Sequence, residues 1–106
     1  ERSAVTSGEA VLDVGCGPGS DLFDMVERVG PAGRLVGLDA SEVMIAEARR
    51  RAEERRLPVA FEQGEVTALP FPDGTFDVCR AAREHPGRLP RGRVLPAVPR
   101  SPASVR

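Results

Sequence analysis

The sequence predicts an α/β fold built on a parallel sheet, and three observations carry that prediction. Apolar runs of strand length alternate with stretches of helical periodicity, one run opens into a glycine-rich loop, and a second ends on an acid. Residues 10 to 14, AlaValLeuAspVal, form a short apolar run closed by Gly15, the pattern of a buried parallel strand. In the next stretch, from Ser20, residues Leu22, Phe23, Val26 and Val29 share one helical face, with Ser20 as N-cap. GlyProAlaGly at 30 to 33 stops that helix, and ArgLeuValGlyLeu at 34 to 38 is a second strand ending at Asp39. Ser41 caps a helix running to about Arg56, with Met44, Ile45, Ala48 and Ala52 as its apolar stripe and acids crowding its first half. Its ArgArgArg run at 49 to 51 reads as a solvated face. Leu57 and Pro58 break the helix, ValAlaPheGlu at 59 to 62 is a third strand ended by Gly64, and PheAspValCys at 76 to 79 is a fourth. Ligands of such sheets sit at the carboxyl ends of the strands, where the glycine loop, Asp39 and Glu65 would gather.

The 106 residues carry a formal net charge of −1, which conceals two unlike segments. Residues 1 to 79 hold 15 acids against 8 arginines, whereas residues 80 to 106 hold 7 arginines against Glu84 alone. The first segment is therefore expected to be the folded domain. The second, with five prolines and no sustained apolar periodicity, is expected to be a disordered tail. That tail lacks the aromatics and the fold that would present its charge to nucleic acid, so no nucleic-acid partner is expected. Cys16 and Cys79 are too few for a disulfide framework and have no metal-ligand spacing, so both read as small buried hydrophobes and no metal is expected. No apolar run reaches the length of a membrane span and no signal-peptide pattern opens the chain, which makes a cytoplasmic location the default expectation.

The loop at 12 to 20, LeuAspValGlyCysGlyProGlySer, places Gly15, Gly17 and Gly19 at alternate positions after Asp13. A strand must turn sharply into a helix here, and a bare backbone lets a ligand approach the N–H groups closely. Asp13 would repel a pyrophosphate and accommodate a ligand carrying an ammonium and a sulfonium. The loop therefore favours S-adenosylmethionine (SAM) over NAD.

ValLeuAspValGlyCysGlyProGly, GlyLeuAspAlaSerGluValMet and GlyGluValThrAlaLeuProPheProAspGlyThrPheAspVal, in that order, resemble the class I SAM-dependent methyltransferases. More narrowly, they are similar to the small-molecule branch that includes ubiquinone and menaquinone methyltransferases. The resemblance covers residues 8 to 80 and implies a Rossmann-like parallel sheet of the class I methyltransferase type. It implies that Gly15, Cys16, Gly17 and Gly19 form the loop lining the methionyl part of SAM, with Asp13 holding the loop and the ammonium. Asp39 would accept hydrogen bonds from both ribose hydroxyls, because a carboxylate offers two acceptor oxygens and no donor. Ala40 and Met44 would lie beside the adenine. Glu65, where the family more often has Asp, would face the adenine amino group, Val66 would offer its backbone N–H, and Leu69 would pack on the ring.

Methyl transfer asks mainly for alignment and exclusion of water, since the sulfonium is already an activated electrophile. No catalytic residue is assigned, because His85, beside Pro86, has no predicted structure to position it as a base. The family's sheet continues beyond a fourth strand, whereas this sequence offers only ArgValLeuProAlaValPro, so the sheet is expected to be truncated after the fourth strand, as by a frameshift near codon 80. A fragment of that kind would expose Phe76, Val78 and Cys79, invite self-association through the open edge, bind SAM weakly and not turn over a small-molecule acceptor. Two other classes stay open at this point: a fragment of an NAD-type dinucleotide-binding oxidoreductase, and a noncatalytic binding module.

Overall fold

A computed structural model describes residues 5–64, 71, 72 and 74–81, together with the backbone of 93 and 94. The chain order is β1 (Ala10–Val14), α1 (Ser20–Phe23), α2 (Val26–Val29), β2 (Arg34–Asp39), α3 (Glu42–Arg55), β3 (Val59–Gln63), β4 (Val78–Ala81) and β5 (Arg93–Val94). The strands form one parallel sheet in the order β3-β2-β1-β4-β5. Both neighbours of β1 are reached by crossovers, so β1 lies at the centre, and Val11, Leu12 and Val14 are buried on both faces, as a continuous apolar run requires.

Side chains alternate between the two faces. Val11, Leu35, Phe61 and Val78 point to one face, where they pack with Leu22, Phe23, Val29, Ile45, Ala48 and Ala52 of the three helices. Leu12, Val14, Val36, Leu38 and Cys79 point to the other, where Phe76 and half-buried Phe71 join them. The two phenylalanine rings there meet edge to face at 5.0 Å.

The α/β class and the parallel sheet agree with the sequence reading, and four local differences have physical causes. The first helix is divided. Met25 N–H reaches back to Leu22 O, a three-residue closure that ends α1 before α2 begins. Gly19, not Ser20, occupies the N-cap position of α1, without a side-chain cap. The fourth strand begins at Val78, two residues later than expected, because Asp77 is used as a clamp. Its N–H donates to Ala10 O at 2.9 Å, and its Oδ2 accepts from Ala10 N–H at 2.8 Å.

The fourth difference concerns the expected truncation. The sheet carries a fifth strand beyond β4, with Val78 paired to Arg93 and Cys79 to Val94. β4 is therefore not the edge over those residues, and Phe76, Val78 and Cys79, expected to be exposed, are buried. The route to self-association through β4 is occupied to the same extent. A two-residue strand has no periodicity to read, and its register comes from β4.

The long helix matches its expectation. Ser41 caps α3, its hydroxyl accepting from Met44 N–H at 3.2 Å, and Ile45, Ala48 and Ala52 form the buried stripe. The arginine run is only partly a solvated face. Arg50 and half-buried Arg51 pair with Glu47, while Arg49, itself exposed, donates through Nε and Nη2 to Phe61 O of the edge strand β3, at 3.1 and 2.7 Å. The hydrogen bonds that Arg50, and then Arg51, donate to Glu47 hold its carboxyl at about 2, below its ordinary 4.5. Among the described residues, no helix is long and apolar enough to cross a membrane and no cluster of His, Cys, Asp and Glu could hold a metal ion.

Candidate functional site

The site forms at the carboxyl edge of β1 and β2, where the chain leaves each strand. After Val14 the backbone enters the loop of Gly15, Cys16, Gly17, Pro18 and Gly19, and all three glycines take positive φ. Gly19 shows why the residue type is fixed. At φ 90° an added Cβ would stand 2.6 Å from Phe61 Cζ, so both the conformation and the space exclude a side chain.

The loop's amides are directed into the protein. Gly15 and Cys16 N–H both donate to Leu38 O of β2 at 2.7 and 3.1 Å, and Gly19 N–H donates to Cys16 O at 3.2 Å. Gly17 N–H donates to Asp39 Oδ2 at 2.9 Å, and Pro18 has no N–H to give. The expectation that a bare loop presents N–H groups to a ligand is thus corrected. This loop has committed its donors to β2 and to itself, and what it turns to a ligand is close backbone surface with no nest for a phosphate.

Asp39 is the second fixed point. Its Oδ2 takes Gly17 N–H and its Oδ1 takes Ser41 N–H, each at 2.9 Å, so one carboxylate joins the β1 loop to the start of α3. An ionised carboxylate has about four lone-pair sites, so two acceptor positions remain on a half-buried group. Gly64 N–H donates to Asp39 O and Gln63 Nε2 to Ala40 O, which draws the end of β3 to the same corner. Ala40 is exposed and Met44 half-buried, the latter outside the buried core. Cys16 is fully buried, its thiol 3.4 Å from Gly17 O, so its place in the loop is structural and its side chain faces inward. Glu65, Val66 and Leu69, and also His85, lie outside the described residues.

Asp13 is the one buried charged residue among the described residues. The sheet register sets Arg80 of β4 directly opposite it, and Arg80 Nε stands 3.5 Å from Asp13 Oδ1. Arg80 Nη2 reaches Asp21 Oδ2 of α1 at 3.0 Å. The guanidinium offsets the charge of Asp13, so a preference against pyrophosphate does not rest on that carboxylate, as the sequence reading had it. It rests on the committed amides. Arg80 escaped the sequence reading, which saw it only as the start of an arginine-rich tail.

Residues 11–97 match the family described as "Methyltransferase domain". The chain is 43% identical over 79 residues to a demethylmenaquinone methyltransferase of Lactococcus lactis, covering 74% of this chain and 31% of that protein. It is 45% identical over 76 residues to nocamycin O-methyltransferase of Saccharothrix syringae, covering 71% of this chain and 27% of that one. The chain therefore spans about a third of the length of these curated relatives, or less. Among solved structures, a SAM-dependent methyltransferase from Aquifex aeolicus superposes with a TM-score of 0.71 at 30% identity, over 76% of this chain and 44% of that one.

Proposed function

The chain belongs to the methyltransferase domain family, in its class I SAM-dependent form, and from that premise we propose that it is the cofactor-binding part of an enzyme that methylates a small-molecule acceptor. The observation that carries the cofactor reading is the loop whose amide hydrogens are all committed within the protein. Residues 15 to 19 of such a loop offer no free amide to a pyrophosphate, while their close-approach surface and the carboxylate beside them suit a ligand with cationic and hydroxyl groups. Nothing in the fold or the relatives favours the oxidoreductase reading.

In this proposal the glycine loop lines the methionyl part of SAM, and Asp39 directs its two remaining acceptor positions to the ribose hydroxyls. Ala40 and Met44 flank the adenine, and Glu65, Val66 and Leu69 complete that end. When bound, SAM supplies a methyl group already activated on a sulfonium. The chain's own residues orient that ligand and exclude water from one side of it, the two contributions methyl transfer most needs. Relatives named for quinone and O-methyl substrates support a small-molecule acceptor. A cytoplasmic location and the absence of a nucleic-acid partner belong to the same proposal.

Calorimetric titration of the 106-residue chain with SAM and, separately, with NAD tests it. SAM should bind and NAD should not. Asp39→Asn, which keeps the size and replaces one acceptor with a donor, should weaken SAM about tenfold. Equal binding of both ligands, or unchanged affinity in Asp39→Asn, would refute the reading.

A further inference from the structure

The glycine loop is bracketed by two acids, Asp13 two residues before Gly15 and Asp21 two residues after Gly19, and a single guanidinium joins them. Asp13 has 6% of its side chain exposed and Arg80 13%, whereas Asp21 is 38% exposed. A carboxylate as buried as Asp13 requires a charge partner, and the register of β1 against β4 supplies Arg80 on the same face of the sheet. Arg80 then extends past Asp13 to α1 and meets Asp21 at 3.0 Å. The planar fork of arginine allows this, since it presents donors in two directions at once.

We infer that Arg80 is the positioning residue of the glycine loop, tying its two ends together and holding residues 15 to 19 in the shape that admits the cofactor. The inference rests on the cofactor reading above only for its consequence in binding. The loop's other ties, from Gly15 and Cys16 to Leu38 and from Gly17 to Asp39, fix its first half to β2. Arg80 fixes its second half, at the start of α1, to β4. The loop is therefore held from both flanking strands, β2 and β4. Arg80 also leaves the pair of acids with one net negative charge instead of two, which tempers their attraction for a cationic ligand. Its removal would strengthen that attraction and loosen the loop, two effects of opposite sign. The loosening dominates, because the tie from β4 to the start of α1 is lost and the buried Asp13 loses the guanidinium that offsets its charge.

The test separates the bridge from the ligand by using hydrogen exchange on the ligand-free chain. Exchange at the amides of Gly17 and Gly19 should rise about tenfold in Arg80→Gln and about threefold in Asp21→Asn, in each case beyond any rise at Val11 and Leu12 of β1. Arg80→Lys, which keeps the charge but not the fork, should fall between Arg80→Gln and the parent. Titration with SAM should follow the same order, and Arg80→Gln combined with Asp21→Asn should bind no more weakly than Arg80→Gln alone, since both break one bridge. If Arg80→Gln does not fold, Asp21→Asn and Arg80→Lys decide, because neither leaves Asp13 without a cation. Unchanged loop exchange in those variants, or additive losses in the double variant, would overturn the inference. A parent chain that binds no SAM would refute the cofactor reading instead, and the loop exchange would still judge the bridge.

Discussion

The two faces of the sheet are built on different principles. On the face away from the helices, Leu12, Val14, Val36, Leu38, Phe76 and Cys79 form an apolar cluster, with the Arg34 guanidinium stacked on the ring of Phe76 at 4.9 Å. On the helical face, one row across the register reads Phe61, Gly37, Asp13 and Arg80, in which an aromatic ring, a bare backbone and an ion pair stand side by side. The first face holds strands together. The second also shapes the loop above it, because Gly37 makes room for Cys16, Phe61 closes on Gly19, and Asp13 pairs with Arg80. Stability and site geometry are thus separable across the thickness of one sheet, and substitutions can break that separation.

The largest effect is expected on the apolar face. Leu12→Ala removes a fully buried side chain and should cost about 2–5 kcal/mol, read from denaturant melts. Below its own melting temperature the variant should still bind SAM as the parent does, because Leu12 faces away from the loop. A parallel loss of affinity would show that the faces are not separable.

Gly37→Ala on the helical face should cost less stability and more function. Its Cβ would lie 2.7 Å from Cys16 Sγ and from Phe61 Cδ1 and 2.9 Å from Leu22 Cδ1, an overpacking of about 1–3 kcal/mol. Because Cys16 belongs to the loop, the strain is passed to Gly15 and Gly17, and SAM affinity should fall together with the melting temperature. Ser41→Ala, which removes the cap of α3, should cost about 1 kcal/mol. Its effect on SAM should be slight, since Asp39 Oδ1 bonds the backbone N–H that alanine keeps.

The smallest effect is the acid dependence of Glu47. The hydrogen bonds from Arg50, then from Arg51, lower its carboxyl from 4.5 to about 2, so the folded state favours the ionised form. Its contribution is present above 4.5 and is lost as the pH falls toward about 2. Glu47→Gln should therefore flatten the acid limb of the stability profile slightly, in a salt-sensitive way, as the pairs are solvated.

How much of this was legible in the sequence follows from the range of each interaction. β1, β2, β3 and α3 were legible because their signals are local: apolar runs, a glycine stop, a serine cap. That the glycine loop and Asp39 meet at one corner was legible because the topology of such sheets brings strand ends together. The direction of the loop's amides was not, since it depends on Leu38 O of the neighbouring strand. Arg80 was hidden for the same reason. It begins an arginine-rich stretch, and only the register of β4 against β1 places it opposite Asp13 and near Asp21, 59 residues away in sequence. The contact of Arg49 with Phe61 O of the edge strand is likewise tertiary.

The central claim is that the carboxyl edge of β1 and β2 is the cofactor site, and mapping backbone amide shifts on addition of S-adenosylhomocysteine, the demethylated product, tests it most directly. The shifts should concentrate at Gly15 to Gly19 and at Asp39 to Met44, with the open groove between α3 and β3 lined by Arg49, Arg56, Leu57 and Phe61 unaffected. Shifts centred on that groove, with the glycine loop silent, would contradict it.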